Sequence, residues 1–131
     1  MQQPRAPLVL VIDDDEDVLL TISKLVRALG FDAVTASSGE QGVELFRGRA
    51  PDVVLLDFNM PKQDGNRTLT LLRRENSAAK VILMSGALVG TRGALDAMRK
   101  QGADAVLAKP FDSDELQQVL RSVLPPGAGS D

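Results

Sequence analysis

Short apolar runs alternate with amphipathic segments along most of the chain. Five runs are rich in aliphatic residues, and they are Leu8–Ile12, Phe31–Ala36, Val53–Leu56, Val81–Met84 and Ala105–Ala108. Apolar runs of this length between helical segments indicate parallel strands that are buried on both faces. The second run is the weakest of the five, because Ala and Thr dilute it.

The segments between the runs have the periodicity of helices. Apolar residues recur at helical spacing from Val18 to Leu29, and Gly30 follows where a helix commonly ends in glycine. The other predicted helices are Ser38 to about Arg47, Gly65 to about Glu75, Thr91–Lys100, and Asp112 to about Val123. Ser38–Gln41 and Asp112–Glu115 have the pattern of a capping box.

This order is a strand followed by a helix, repeated five times. Right-handed crossovers then favour a single α/β domain with an open, doubly wound parallel sheet. We expect a polar lead over residues 1–7, the domain over 8–124, and a flexible tail over 125–131 that begins with two prolines. Because Met1 opens the chain, we expect a stand-alone protein, although a domain of a larger protein would have the same pattern.

Composition limits the location and the partners of the protein. The 131 residues are 44% hydrophobic and 25% charged, as in ordinary globular domains. The net charge of −3 gives no reason to expect nucleic acid or an anionic membrane as a partner. The sequence has no stretch of transmembrane length and no signal peptide before the first strand, so we expect a cytoplasmic protein.

The chain has no Cys and no His. Disulfides, thiolate metal sites, Ser-His triads and a phosphohistidine carrier role are therefore excluded. Any chemistry must use carboxylates, hydroxyls, Lys or metal-bound water.

Carboxylates follow two of the predicted strands. Asp13 and Asp14 end the first apolar run, and Asp57 ends the third. In parallel sheets ligands bind outside the carboxyl ends of the strands, so these side chains face one crevice if their strands are neighbours. Because clustered carboxylates repel each other unless a cation joins them, the pattern implies a hard metal such as Mg2+.

Two other interpretations compete for the first acidic cluster. Asp13, Asp15 and Asp17 match the opening of an EF-hand loop, but Val18 and Lys24 occupy the positions that need Gly and Glu. Capping of the first helix accounts for the acids from Asp15 to Asp17. It is the weaker explanation for Asp13 and Asp14, which directly follow a buried strand.

Polar residues also follow the fourth and fifth strands. Ser85 alone would be an ordinary cap or turn residue, and Lys109 alone an ordinary surface lysine. Pro110 fixes the backbone directly after Lys109. What indicates a site is that all four strand ends have such residues: two acids after strand one, an acid after strand three, a hydroxyl after strand four and a lysine after strand five.

Together these motifs resemble the receiver domain of bacterial two-component response regulators. The resemblance covers about Leu8 to Leu124 and rests on Asp13-Asp14, Asp57 with Asn59-Met60-Pro61 and Gly65, Ser85, and Lys109-Pro110-Phe111. It implies a flavodoxin-like fold with strand order 2-1-3-4-5 and five helices. It also implies signalling to a downstream protein through the face formed by the fourth helix, fifth strand and fifth helix.

The resemblance further implies the roles of the site residues. Asp57 would take a phosphoryl group from the phosphohistidine of a sensor histidine kinase or a histidine phosphotransfer protein. Asp14, Asp57 and the Asn59 carbonyl would bind Mg2+ directly, and Asp13 through water. Ser85 and Lys109 would contact the phosphoryl oxygens, with a cis peptide bond between Lys109 and Pro110. Such a domain catalyses only its own phosphorylation and dephosphorylation and does not turn over external substrates.

The sequence departs from the family pattern at two positions. Val106 occupies a position where the family usually has an aromatic residue whose rotamer reports activation, and Ala87 has no group to guide a hydrolytic water. A phosphohydrolase of the haloacid-dehalogenase type is an alternative, but it needs an acid where this chain has Asn59. A binding-only pseudo-receiver is the third possibility, and every site position here has a residue competent for the chemistry.

Overall fold

The computed structural model describes residues 6–58, 65–76, 78–86, 100 and 102–124. Apart from Lys100, the helix predicted over 91–100 lies outside these residues. Most of the predicted lead and the whole predicted tail also lie outside them.

The described part of the chain contains five strands and four helices. The strands are β1 Leu8–Ile12, β2 Asp32–Ala36, β3 Val53–Asp57, β4 Lys80–Ser85 and β5 Ala105–Ala108. The helices are α1 Glu16–Ala28, α2 Gly39–Arg49, α3 Gly65–Glu75 and α4 Ser113–Val123, the last being the fifth helix predicted from the sequence. Within the described ranges no helix is both long enough and apolar enough to cross a membrane.

The strands form one parallel sheet in the order β2-β1-β3-β4-β5. This confirms the predicted doubly wound α/β fold. β1 lies between β2 and β3, and Ile12 is paired with Leu56. Asp13 and Asp57, which follow these two residues, therefore lie side by side at the carboxyl edge of the sheet.

The core consists of two apolar layers, one on each face of the sheet. Along β1, Val9 and Val11 pack with residues of α1 and α4, whereas Leu10 and Ile12 pack with residues of α2 and α3. All four side chains are fully buried. Burial on both faces explains why the strands appear in the sequence as continuous apolar runs instead of alternating patterns.

Capping residues fix where the helices begin. Asp15 is the N-cap of α1 and accepts hydrogen bonds from the amides of Asp17 and Val18, as the capping interpretation predicts. Asp112 and Glu115 form the predicted capping box at the start of α4.

The predicted capping box of α2 differs in one bond. Ser38 Oγ accepts from the Gln41 amide at 3.1 Å, as expected, but Gln41 Oε1 accepts from the Ser37 amide at 2.9 Å. The Gln41 side chain thus reaches back to the residue before the N-cap. These bonds fold the β2–α2 turn tightly against the first turn of the helix.

Two side chains join the amino edges of β4 and β5. Arg73 of α3 donates to the carbonyls of Ala79 and Gly102 and to Asp104 Oδ2, the last at 2.9 Å. Asp104 Oδ2 also accepts from the Val81 amide at 2.8 Å. This Arg73–Asp104 clasp ties the end of α3 to the starts of both strands, at the edge of the sheet opposite the acidic residues.

Candidate functional site

The carboxyl edge of the sheet brings together five residues that the sequence predicts as a site. They are Asp13, Asp14, Asp57, Ser85 and Lys109, contributed by the ends of β1, β3, β4 and β5. Asp13, Asp57 and Ser85 are buried, Lys109 is partly buried and Asp14 is exposed.

The three carboxylates form one cluster. An oxygen atom from each of Asp13, Asp14 and Asp57 lies within 4.8 Å of the other two. The side chains of Asp13 and Asp57 are largely removed from water, which weakens the screening of their mutual repulsion. Oxygen ligands of this kind, from two or three carboxylates, suit a hard cation such as Mg2+. The donor set therefore fits the metal predicted from the sequence.

Lys109 places its positive charge between two of these acids. Its Nζ lies 2.6 Å from Asp13 Oδ2 and 3.6 Å from Asp57 Oδ2. The sequence predicts Lys109 at this edge, but nothing in the residue pattern indicates that its shorter contact is with Asp13. That preference depends on side-chain geometry that only the folded chain defines.

The Asp13 carboxylate is held on both sides by protein donors. Oδ1 accepts from the Asp15 amide at 3.0 Å, while Oδ2 accepts from Lys109 Nζ. The backbone amide of Asp13 donates to the Ala36 carbonyl at 3.1 Å, which continues the β1–β2 ladder by one residue. Asp13 is thus fixed in orientation by neighbours from β2, α1 and β5.

Backbone hydrogen bonds extend the sheet into the site. The Phe58 amide donates to the Met84 carbonyl at 2.9 Å, and the Lys109 amide donates to the Ser85 carbonyl at 2.9 Å. The peptide bond between Lys109 and Pro110 is cis, as predicted. Asp57, Ser85 and Lys109 are therefore held at the hydrogen-bonded ends of three adjacent strands.

Some predicted site residues fall outside the described part of the chain. These are Asn59, Met60, Pro61 and Ala87. Val106 is described: it is half-buried on β5 and packs against the apolar layer under α2 and α3.

Comparison with known proteins identifies relatives across nearly the whole chain. The family model of the response regulator receiver domain matches residues 9–121. Regulatory protein AtoC of Escherichia coli K12 is 35% identical over 116 residues, which are 88% of this chain and 25% of that protein. Transcriptional regulatory protein PrrA of Mycobacterium tuberculosis is 35% identical over 122 residues, 91% of this chain and 50% of that protein. The chain thus spans a quarter to a half of the length of these curated relatives.

Solved structures have the same fold. The Francisella response regulator 1452 receiver domain is 32% identical with a TM-score of 0.79, covering 89% of this chain and 95% of that one. The CheX–CheY–BeF3–Mg2+ complex from Borrelia burgdorferi matches with a TM-score of 0.82 and 28% identity, over 91% and 90% of the two chains. Chemotaxis protein CheY4 of Vibrio cholerae, at 22% identity and a TM-score of 0.82 over 91% and 99%, supports the fold alone.

Proposed function

The chain belongs to the response regulator receiver domain family, and on that premise we propose that it accepts a phosphoryl group on Asp57 in two-component signalling. The observation that most supports this role is the position of Asp57. It is a buried carboxylate within 4.8 Å of two further acids and 3.6 Å from the Lys109 ammonium. Phosphoryl transfer depends mainly on positioning and charge neutralisation, and the Lys109 ammonium beside Asp57 supports both.

The proposed reaction is a transfer from a phosphohistidine on a partner protein. One Asp57 carboxylate oxygen forms a bond to phosphorus as the N–P bond of the phosphohistidine breaks. The electron pair of that bond stays on the imidazole nitrogen, which the partner keeps, and the product here is an aspartyl phosphate. Because the partner provides the imidazole, the lack of His in this chain is consistent with the proposal.

Lys109 and Ser85 would contact the transferred group. Lys109 Nζ is near enough to Asp57 Oδ2 to reach a phosphoryl oxygen after a small movement. Ser85 lies at the end of the neighbouring strand and would contact the phosphoryl group through its hydroxyl. Both side chains are donors, so they would stabilise negative charge on the phosphoryl oxygens.

Asp14 and Asp57 would hold Mg2+ directly, together with the Asn59 carbonyl that the family resemblance implies. Asp13 would act through water, because both of its oxygens already accept hydrogen bonds from the protein. When bound, the ion supplies positive charge that offsets the charge of the carboxylates and phosphoryl oxygens. The Mg2+ in the structure of the Borrelia burgdorferi relative supports this choice of metal.

The proposed partners are a sensor histidine kinase or histidine phosphotransfer protein and a downstream protein. A largely apolar cleft of about 400 Å³ lies beside the site, between α1 and the residues Lys109, Pro110 and Phe111. It offers a donor protein a surface that reaches Lys109 of the site. The downstream protein would bind the face that includes β5 and α4, and we propose no turnover of external substrates.

Intact mass spectrometry after incubation with acetyl phosphate or phosphoramidate, with and without Mg2+, tests the proposal. We expect the mass of one phosphoryl group, gained only with Mg2+, and no gain in Asp57→Asn. Asp52→Asn is the matched control, since Asp52 precedes the same strand at the opposite edge. Labelling of Asp57→Asn at the normal rate would refute the acceptor assignment. Continuous release of phosphate from many donor molecules would indicate a hydrolase. No labelling with either donor would indicate a binding-only pseudo-receiver or a receiver that accepts phosphoryl groups only from its own kinase.

A further inference from the structure

The first turn of α2 lies unusually close to the end of β1, directly before Asp13. A Cβ atom added to Gly42 would lie 2.3 Å from Ile12 Cδ1 and 2.8 Å from Ile12 Cγ1. Carbon atoms of residues that are not neighbours in the chain do not approach this closely in folded proteins. Only glycine allows α2 and β1 to approach this closely at this point.

Ile12 has little room to give way. Its side chain is fully buried, and its backbone is paired with Ala36 on one side and Leu56 on the other. Rotation about the Cβ–Cγ1 bond of Ile12 would move Cδ1 but not Cγ1, which would still lie 2.8 Å from the added Cβ. A side chain at position 42 would therefore displace either α2 or the end of β1.

Both possible displacements lead to Asp13. Ile12 is the residue before Asp13 in the chain, and the Ala36 carbonyl that accepts from the Asp13 amide belongs to the strand leading into α2. The Ser38 cap and the Gln41 bond to Ser37 tie that turn to α2, so the turn and the helix move together. A shift of α2 thus disturbs a hydrogen bond to Asp13, and a shift of Ile12 moves Asp13 itself.

We propose that Gly42 is a positioning residue for the acidic cluster: its missing side chain lets α2 hold the end of β1 where Asp13 can join Asp14 and Asp57 around a metal ion. The proposal rests on the proposed function, since it assumes that the cluster binds Mg2+. Mg2+ demands nearly ideal octahedral geometry, so an error in the position of Asp13, which would hold the ion through water, weakens its binding. Neighbours that orient metal ligands typically change affinity by about 10–100-fold when they are altered.

Calorimetric Mg2+ titration of the intact chain tests this, and the chain provides a matched control. Gly48 is in the same helix, but a Cβ there would meet nothing within 4 Å. We expect Gly42→Ala to bind Mg2+ about tenfold more weakly than wild type, and Gly48→Ala to bind it equally well. Unchanged affinity in Gly42→Ala, even with reduced stability, would overturn the proposal and leave Gly42 with a packing role only.

A second substitution tests whether the effect passes through Ile12. Ile12→Val removes Cδ1, the atom nearest to the added Cβ. In the Ile12→Val background, Gly42→Ala should reduce Mg2+ affinity much less than it does in wild type. A small reduction should remain because of the contact with Cγ1. If Gly42→Ala alone does not fold, the comparison of Ile12→Val with and without Gly42→Ala decides, because the contact with Cγ1 remains in that background. Equal Mg2+ affinities of these two variants would overturn the proposal. If wild type itself binds no Mg2+, the proposed function fails first.

Discussion

Lys109 and Asp13 are 96 residues apart in the chain, yet Lys109 Nζ lies 2.6 Å from Asp13 Oδ2. Asp13 is 1% exposed, so water contributes little to stabilising its charge, and Lys109 takes over that role. The same ammonium lies 3.6 Å from Asp57. One lysine thus offsets the charge of two buried acids, while Asp14 is exposed to solvent.

Removing the ammonium should destabilise the metal-free protein. We expect Lys109→Met to lower the free energy of unfolding by about 2 kcal/mol, since Asp13 would remain buried without its partner. Lys24→Met, at an exposed position of α1, should change it little. Because the chain has no Trp or Tyr, urea unfolding is best followed by circular dichroism. Mg2+ should recover part of the loss, and equal stability of both variants in EDTA would contradict the assigned role of Lys109.

Neighbouring acids at the start of α1 should respond in opposite ways. Asp14→Ala should weaken Mg2+ binding on the order of tenfold or more. It should also raise metal-free stability by about 0.5 kcal/mol, by removing one of three repelling charges.

Asp15→Ala should leave Mg2+ affinity nearly unchanged and reduce stability by about 1 kcal/mol, because it removes the N-cap. Calorimetric titration and chemical unfolding of both variants measure the two effects. If Asp14→Ala is less stable than wild type without metal, helix capping would be the main role of Asp14, as it is for Asp15.

The Arg73–Asp104 clasp should be important for stability. Arg73→Met removes three hydrogen bonds that join α3 to the starts of β4 and β5, and we expect a loss of about 2 kcal/mol. Arg74→Met, at the adjacent exposed position, should stay within about 0.5 kcal/mol of wild type. Urea unfolding midpoints measure both, and similar losses in the two variants would argue against a specific clasp.

The contact between α2 and α3 predicts a pH effect. Arg47 holds the pKa of the Glu75 carboxyl below its usual range, chiefly through its hydrogen bond to Oε1 at 2.7 Å. A carboxyl with a lowered pKa in the folded state adds stability above its unfolded pKa of about 4.3, and this is lost as the pH falls through the folded pKa. The stability of Glu75→Gln should therefore approach that of wild type on acidification from pH 6 to 3. A constant difference over that range would show that the ionised carboxylate is not responsible.

The sequence predicts much of the fold because the sheet is buried on both faces. Each apolar run matches a strand to within one or two residues. The acids and the lysine after those runs meet at one edge, as expected for residues at the carboxyl ends of neighbouring parallel strands. Caps such as Asp15 and Asp112 could also be identified from residue type and spacing alone. These are local patterns combined with one rule of topology.

Contacts that depend on the distance between elements could not be predicted in this way. The preference of Lys109 for Asp13 over Asp57, the clasp of Arg73 and the close approach at Gly42 all involve residues that are distant in sequence. In the sequence, Gly42 is simply a poor helix former. Its role becomes visible only when the position of Ile12 against α2 is known.

No single segment of the chain forms the site. Its side chains come from the ends of four different strands, from β1 to β5. A nascent chain on the ribosome therefore has no site until Lys109 has emerged and β5 has joined the sheet. If Asp57 accepts phosphoryl groups as proposed, acetyl phosphate labels native molecules and spares misfolded ones. The labelled fraction of a preparation would then count its correctly folded molecules.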